Sequence, residues 1–390
     1  MRALVVAPQP FFSPRGTPFS VYYRTLITTQ LGVDVDLLTY GEGQDVEIPG
    51  LRIHRIPRFG FLGPVAVGPS LLKLWLDGFL VLWTLGLLLR RRYDFVHAHE
   101  ESVFFLRFLK PIFRFKLVYD MHSSLPQQLS NFKFTESRAL IRLFELLEDS
   151  CLRRADAVIT ICPELRDYAL PRVSDPRRHF LIENSLFDEV RLARVAGNGA
   201  GLPRDPDLPL DRPIVAYAGT FESYQGIDLL IEAFARTRTA RPEAFLLLIG
   251  GSAEQVASAR ALADRLGIPG DVCCTGRLDP AAVKRQLRRA AVLTSPRTAG
   301  TNTPLKIYEQ LASGIPLVAT RILSHTQVLD DRVCFLADPD PDSLSRALLA
   351  ALEGGPACAR VVQNAQELYR RDYSREAYLA KMSALLEVLH

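Results

Sequence analysis

The chain has 390 residues, of which 48% are hydrophobic and 23% charged, and a formal net charge of +4. That length supports two domains with a core each, and the composition is that of a globular protein. So weak a charge, with no aromatic-interleaved basic stripe of binding length, excludes a nucleic-acid partner.

Taken in chain order, Met1–Pro8 is strand-like and too short for a signal peptide. Ala3–Val6 predicts the first strand. Pro10–Pro18 follows as a loop in which Gly16-Thr17 would let backbone approach a phosphate or sugar, or serve only as a turn. A helical run covers Phe19–Leu31, and Val35–Leu38 is the next strand. Leu71–Leu89 is long and apolar but contains Lys73 and Asp77 and runs into Arg90-Arg91-Arg92. A spanning helix would carry those two charges toward the hydrocarbon, so an amphipathic helix that packs on a sheet and touches a membrane surface is preferred. Phe95–Ala98 and Leu117–Tyr119 are strands that end in histidines. His97 and His99 lie two apart on one side of an extended chain, as a metal pair would. No third ligand can be named from the sequence, so a structural role is preferred. His122, beside Ser123 and Ser124, sits where a polar cleft residue belongs. Ala157–Thr160 and Phe180–Ile182 close the first half.

The alternation stops at Gly197–Pro213, a Gly/Pro/Asp-rich linker. It restarts with strands at Val215–Ala218, Phe245–Ile249, Val272–Thr275, Val292–Thr294, Leu317–Ala319 and Val333–Leu336, with helical patterns between. Helices around Ala359–Arg371 and Arg375–Leu389 end the chain. Apolar strands alternating with helices predict parallel sheets covered on both faces. The expected fold is therefore α/β, with two doubly wound, Rossmann-like domains facing across a cleft. The domains are residues 1–196 and 214–372, the linker is 197–213, and a C-terminal helix at 373–390 packs back toward the first domain. Ligands of such sheets bind beyond the carboxyl ends of the strands.

Three strand ends of the second half carry candidate chemistry. Gly219-Thr220 and Gln225-Gly226 bracket a loop that opens a helix, a backbone suited to an anion or to a plain turn. Gly276-Arg277-Leu278 offers a cation. In Thr298–Glu309, Thr303 reads as an N-cap and Pro304 as the first helical residue. Lys306 then opposes the helix dipole by about 0.3–1 kcal/mol, which suggests that an anion is expected there. A second reading makes Lys306 a surface partner of Glu309 at i,i+3. The segment alone does not choose. The six cysteines, Cys151, Cys162, Cys273, Cys274, Cys334 and Cys358, make no metal spacing and read as buried free thiols in a reducing compartment.

The order of these features resembles the GT-B-fold retaining glycosyltransferases of family 4, the glycosyl transferases group 1. It covers Gly16-Thr17, His97-Ala-His99, Tyr119-Asp-Met-His122, Asp156–Thr160 with Cys162-Pro163, Gly219…Gln225-Gly226, and Pro304–Glu309 with Ala312–Thr320. The resemblance implies a nucleotide-diphosphate sugar as donor, held mainly by the second half, and a hydroxyl acceptor against the first. Carried over by position, Glu309 takes the ribose hydroxyls and Gly276-Arg277-Leu278 flank the base. Gly16 and Thr17 approach the diphosphate and sugar, and His122 lines the reaction centre. Gly219, Thr220, Gln225, Gly300, Thr301, Thr303 and Lys306 complete the donor site. The resemblance also implies retention without a covalent intermediate.

Three departures stand out. The first carboxylate of the family's paired-glutamate motif is Thr301 here, and its diphosphate-gripping basic pair falls at neutral Thr220 and Gln225. Lys306 is the expected substitute, with Arg15, Arg277 and Arg297 in reserve. Asp34-Val-Asp36 and Asp338–Asp342 stand apart from the donor motifs, so no metal and no cofactor beyond the co-substrate is expected. Seven Lys/Arg residues between Arg90 and Lys116, interleaved with phenylalanines, suggest contact with an anionic membrane surface, and the acceptor is expected to be a lipid-linked or polysaccharide precursor of the cell envelope. A helix with buried phenylalanines and a solvated basic face fits equally. The expected protein is a cytoplasmic, peripheral hexosyltransferase. A non-catalytic scaffold, or a sugar-nucleotide epimerase of the same fold, are the rival readings.

Overall fold

The apolar runs of the first half form seven strands: β1 (Arg2–Ala7), β2 (Asp34–Thr39), β3 (Leu51–Arg55), β4 (Phe95–His99), β5 (Lys116–Met121), β6 (Ala157–Thr160) and β7 (His179–Leu181). In this computed structural model, which describes residues 1–12, 16–58, 71–124, 138–184, 209 and 211–390, they make one parallel sheet of order β3-β2-β1-β4-β5-β6-β7. The helices are α1 (Gly16–Gln30), α2 (Leu71–Arg90), α3 (Ser102–Phe113), α4 (Arg138–Arg154) and α5 (Pro163–Ala169). Side chains alternate across a strand, so β1 serves two cores. Leu4 and Val6 join Leu80, Leu106, Leu152 and Leu165, from α2 to α5. Ala3, Val5 and Ala7 face Val21 and Ile27 of α1 on the other side.

Of the sheet's strands, β3 was not expected. Its sequence Leu-Arg-Ile-His-Arg alternates and is only half-buried, as an edge strand can be, so no apolar run announces it. β2 to β3 pairing is parallel, Val35 opposite Leu51 and Thr39 opposite Arg55. In α2, Leu76, Leu80, Leu87 and Leu88 are buried against the sheet. By length and composition Leu72–Arg90 could cross a bilayer. Asp77, however, accepts a 2.6 Å hydrogen bond from Tyr40 at the end of β2, which anchors the helix to the sheet. Burial, followed by repulsion from Glu101, raises the Asp77 carboxyl to about 7.

The second half repeats the plan with β8 (Ile214–Ala218), β9 (Phe245–Ile249), β10 (Val272–Gly276), β11 (Val292–Ser295), β12 (Leu317–Thr320) and β13 (Phe335–Ala337). The sheet is parallel, in the order β10-β9-β8-β11-β12-β13. Its helices are α6 (Ile227–Ala240), α7 (Ala253–Arg265), α8 (Pro280–Leu287), α9 (Lys306–Ala312), α10 (Leu323–Thr326), α11 (Pro341–Glu353) and α12 (Gly355–Leu368). In each sheet the strand order reverses once, at β1/β4 and at β8/β11, and such a switch point leaves a crevice beyond the strand ends.

The chain divides into two compact units, Met1–Val195 with Arg375–His390, and Ala196–Ser374. The last helix, α13 (Arg375–Val388), thus belongs to the first unit. There Tyr378, Met382, Leu385 and Leu386 are buried in the core that also holds α1. Most of the expected linker, 197–208 and 210, lies outside the described residues.

Candidate active site

At the carboxyl ends of β4 and β5 the parallel register sets His99 opposite Asp120. His97, His99, Asp120 and His122 are all buried. His97 Nε2 lies 3.1 Å from Asp120 Oδ2, and His99 Nδ1 lies 3.1 Å from His122 Nε2. His122 Nε2 is 3.3 Å from the other carboxylate oxygen of Asp120. From α1, Arg24 donates its Nε to Asp120 at 2.9 Å and one Nη to the Ile182 carbonyl at 2.6 Å. The other Nη meets the hydroxyl of Tyr378 on α13. Burial opposes the charge on Asp120, but Arg24 and the surrounding histidines together outweigh it and hold the carboxyl well below its usual range. Burial depresses His99 strongly and His122 to about 4, so both imidazoles are neutral near pH 7.

This cluster corrects the reason given for setting a metal aside. A third donor does exist: Asp120 joins His97 and His99, with donor atoms within 4.8 Å of one another. The same carboxylate oxygen already accepts from the Arg24 guanidinium. A divalent cation there would meet a buried positive charge in low dielectric, which favours a polar network over a metal centre. The segment after β5 is pinned separately. Ser124 and Tyr168 donate to the buried Glu148 of α4 at 2.8 and 2.7 Å. Gly16 and Thr17 open α1, and Arg15 before them lies outside the described residues.

In the second unit most of the predicted donor residues lie on the segments that follow β8 and β11, the two strands of the switch point. Gly219 follows β8, and a Cβ built there would lie 3.5 Å from Lys306 Nζ. Gln225 closes a short 3-10 turn, and Gly226 follows at φ +70°. Any Cβ on Gly226 would come within 1.9 Å of the Pro296 carbonyl oxygen, so only glycine fits against the β11 loop. The Lys306 ammonium is enclosed, sits 3.9 Å from the centroid of the Tyr217 ring, and has no hydrogen-bond partner among the described residues. Burial, then Arg297, depresses its pKa well below the usual lysine range. The exposed Thr220 accepts from the Tyr217 hydroxyl through its carbonyl at 2.7 Å.

Two expectations for Thr298–Glu309 are corrected. α9 begins at Lys306 with Leu305 as its N-cap, not at Pro304 behind Thr303, and no side chain caps it. Pro304 and Leu305 instead form a tight entry turn, with Ile307 N bonded to Pro304 O and Tyr308 N to Leu305 O. Thr303 Oγ1 therefore has no hydrogen bond among the described residues. The surface pairing of Lys306 with Glu309 is also absent: Lys306 turns inward over Tyr217, and the cation that acts on the exposed Glu309 is Lys284.

Gly300 and Thr301 are exposed, and the Thr301 carbonyl is held by Gln327 of the loop after α10. Gly276, Arg277 and Leu278 end β10 two strands from β8, where Gly276 O accepts from Gly250 N at 2.8 Å. Residues that the sequence did not single out complete the frame. His325 is wholly buried, 2.9 Å from Ser295 Oγ through Nε2 and 2.8 Å from the Thr320 carbonyl through Nδ1. Burial lowers it to about 4, so a neutral imidazole locks the end of β11 to β12. The signal was a histidine two residues into a short helix after a buried strand, which sequence alone does not separate from a surface one.

Two family models match consecutive stretches: glycosyl transferase 4-like domain over residues 28–185, and glycosyl transferases group 1 over residues 202–368. The chain belongs to the group 1 glycosyltransferases of GT-B fold. It resembles a phosphatidyl-myo-inositol mannosyltransferase of Propionibacterium freudenreichii, with 24% identity over 90% of this chain and 86% of that one. A D-inositol 3-phosphate glycosyltransferase of Corynebacterium efficiens is 25% identical over 91% and 86%. Among solved structures, sucrose-phosphate synthase from Thermosynechococcus elongatus superposes with a TM-score of 0.73 at 20% identity, over 100% of this chain and 98% of that one. Anabaena HepE in complex with UDP gives 0.71 at 15%, over 99% and 100%. This group 1 member is accordingly a glycosyltransferase enzyme, which sets aside the scaffold reading.

Proposed function

We propose that the enzyme moves a hexosyl unit from a nucleotide-diphosphate sugar to a hydroxyl acceptor with retention of configuration. The observation that carries this reading is the enclosed Lys306 ammonium at the β8/β11 switch point, with Arg297 as its charged neighbour. An enclosed cation there suits the charge that develops on a leaving diphosphate. Glu309 takes the ribose hydroxyls, Gly276-Arg277-Leu278 flank the base, and Gly219, Thr220, Gln225, Gly300, Thr301 and Thr303 line the donor. Gly16 and Thr17 approach its diphosphate and sugar. His122, neutral and held by Asp120, lines the reaction centre as a hydrogen-bonding group rather than a cation. In this reading the attack is front-face and is assisted by the leaving phosphate. The HepE neighbour also has a complex with UDP-glucose, which supports this donor class.

We read the transfer as metal-independent. Asp36 is engaged by His54, Tyr93 and Arg91, and Asp340 caps α11. The acceptor is lipid-linked in this reading, and the enzyme works as a peripheral protein on an anionic membrane face. Support comes from α2 and α3, which expose Leu74, Trp75, Leu82, Trp83, Leu89, Phe108 and Ile112, and from the basic residues of the same stretch other than the buried Arg107. The deciding experiment is a thermal-shift panel of UDP-, GDP- and ADP-sugars, followed by transfer assays with the stabilising donor. No stabilisation by any of them sinks the reading.

A further inference from the structure

Resting on the sugar-nucleotide reading, the structure assigns the missing second cation of the donor site. We propose that Arg297, steered by Gln225, closes with Lys306 on the diphosphate. The charge of the β8 to α6 loop has thereby moved to the β11 loop. Gln225 is 7% exposed, and its Oε1 lies 3.3 Å from Arg297 Nε and 3.4 Å from the Tyr217 hydroxyl. An amide oxygen at this point receives the guanidinium, whereas a lysine would face two cations in an enclosed space. The far end of Arg297 is fixed as well. Its Nη1 donates to the Asn302 carbonyl at 3.3 Å, its guanidinium lies over the Tyr224 ring, and its own carbonyl is held by Thr320.

Tyr217 joins the two cations, since its ring underlies Lys306 while its hydroxyl reaches Gln225. The charged and titratable groups that act on this pair are Arg297, Lys306, Tyr217, Tyr224 and the neutral His325, with no carboxylate among them. Two adjacent enclosed cations without a carboxylate are best compensated by a ligand bearing two negative charges. A planar guanidinium gives bidentate contact with phosphate, and the ammonium adds a point charge. A Cβ on Gly300 would lie 3.2 Å from Arg297 Nη1 and 3.8 Å from Ser324 Oγ, so the bare glycine leaves that side of the guanidinium open.

The test is titration calorimetry of the full chain and of R297Q, R297K, Q225K and Q225K/R297Q. The probes are inorganic pyrophosphate, whichever of UDP, GDP and ADP stabilises the parent, and the matching nucleoside. R297Q is expected to weaken both diphosphate probes about tenfold or more while nucleoside affinity stays the same, since a charge-assisted contact is lost. Q225K alone is expected to weaken them too, and Q225K/R297Q to recover most of the loss by returning the cation to the first loop. R297K should fall between. Melting of each variant without ligand separates misfolding from lost contact, because misfolding weakens the nucleoside equally. Unchanged diphosphate binding in R297Q, an equal loss for the nucleoside, or a double variant no better than R297Q overturns the clamp and leaves the sugar-nucleotide reading standing. A parent that binds no nucleoside diphosphate overturns that reading and the clamp with it.

Discussion

A lysine whose ammonium is enclosed and unbonded destabilises the fold that contains it unless a ligand repays the cost. Lys306 is such a residue, so its removal should hurt turnover far more than folding. Lys306→Ala is expected to lower kcat/KM by about 100-fold, the scale for losing one group that stabilises developing charge. Thr220→Ala, on an exposed residue, is expected to stay within about threefold. Equal and mild effects in transfer assays would show that Lys306 does not carry the missing cation. The buried histidines set a pH dependence. His122 and His325 are lowered to about 4 in the fold, against 6.5 when unfolded. Between those values the unfolded chain binds more protons, so stability rises with pH and is complete above about 6.5. Denaturant melts from pH 7 to 4 should show the loss, and His325→Gln should flatten it. A pH-independent midpoint over that range would contradict burial of neutral imidazoles.

At the scale of the element, α2 is the segment whose role the chain states most openly. Its inner face packs on the sheet, and Tyr40 holds Asp77, while Trp75 and Trp83 stay partly exposed on the outside. These are the chain's two tryptophans, so tryptophan-selective emission reports α2 alone. Vesicles rich in anionic lipid should shift the emission to the blue. The shift should fade with salt, because each Lys or Arg near the surface adds about 1 kcal/mol of screened attraction. An unchanged spectrum would place these tryptophans against something other than lipid. Elements also differ in how readable they were. Fully buried parallel strands such as β9 show as apolar runs. The half-buried edge strand β3 and the uncapped start of α9 do not, because pairing and tight turns, not local hydrophobicity, decide them.

At the scale of the molecule, the last helix belongs to the first unit, although the whole second unit lies between them in sequence. Tyr378 on α13 reaches Arg24, which holds Asp120 and through it the histidines. Truncation after Ser374 is therefore expected to strip hydrogen-exchange protection from peptides of the first unit and to leave those of 214–374 protected. Equal loss in both, or in neither, would show that α13 is not an integral part of the first core. Tyr378→Phe, which leaves a buried guanidinium short of an acceptor, should cost about 1–3 kcal/mol.

Local information sufficed for the α/β class, two parallel sheets, Lys306 as the conspicuous cation and the order of motifs that marks a glycosyltransferase. These depend on burial of short runs and on residue types within one loop, which sequence carries directly. Asp120 beside His97 and His99, Gln225 beside Arg297, and Tyr378 beside Arg24 were decided only in three dimensions. Each pair is separated by 21 to 354 residues along the chain. Strand register and helix packing bring them together, and no local pattern encodes a contact whose partner arrives from another part of the fold.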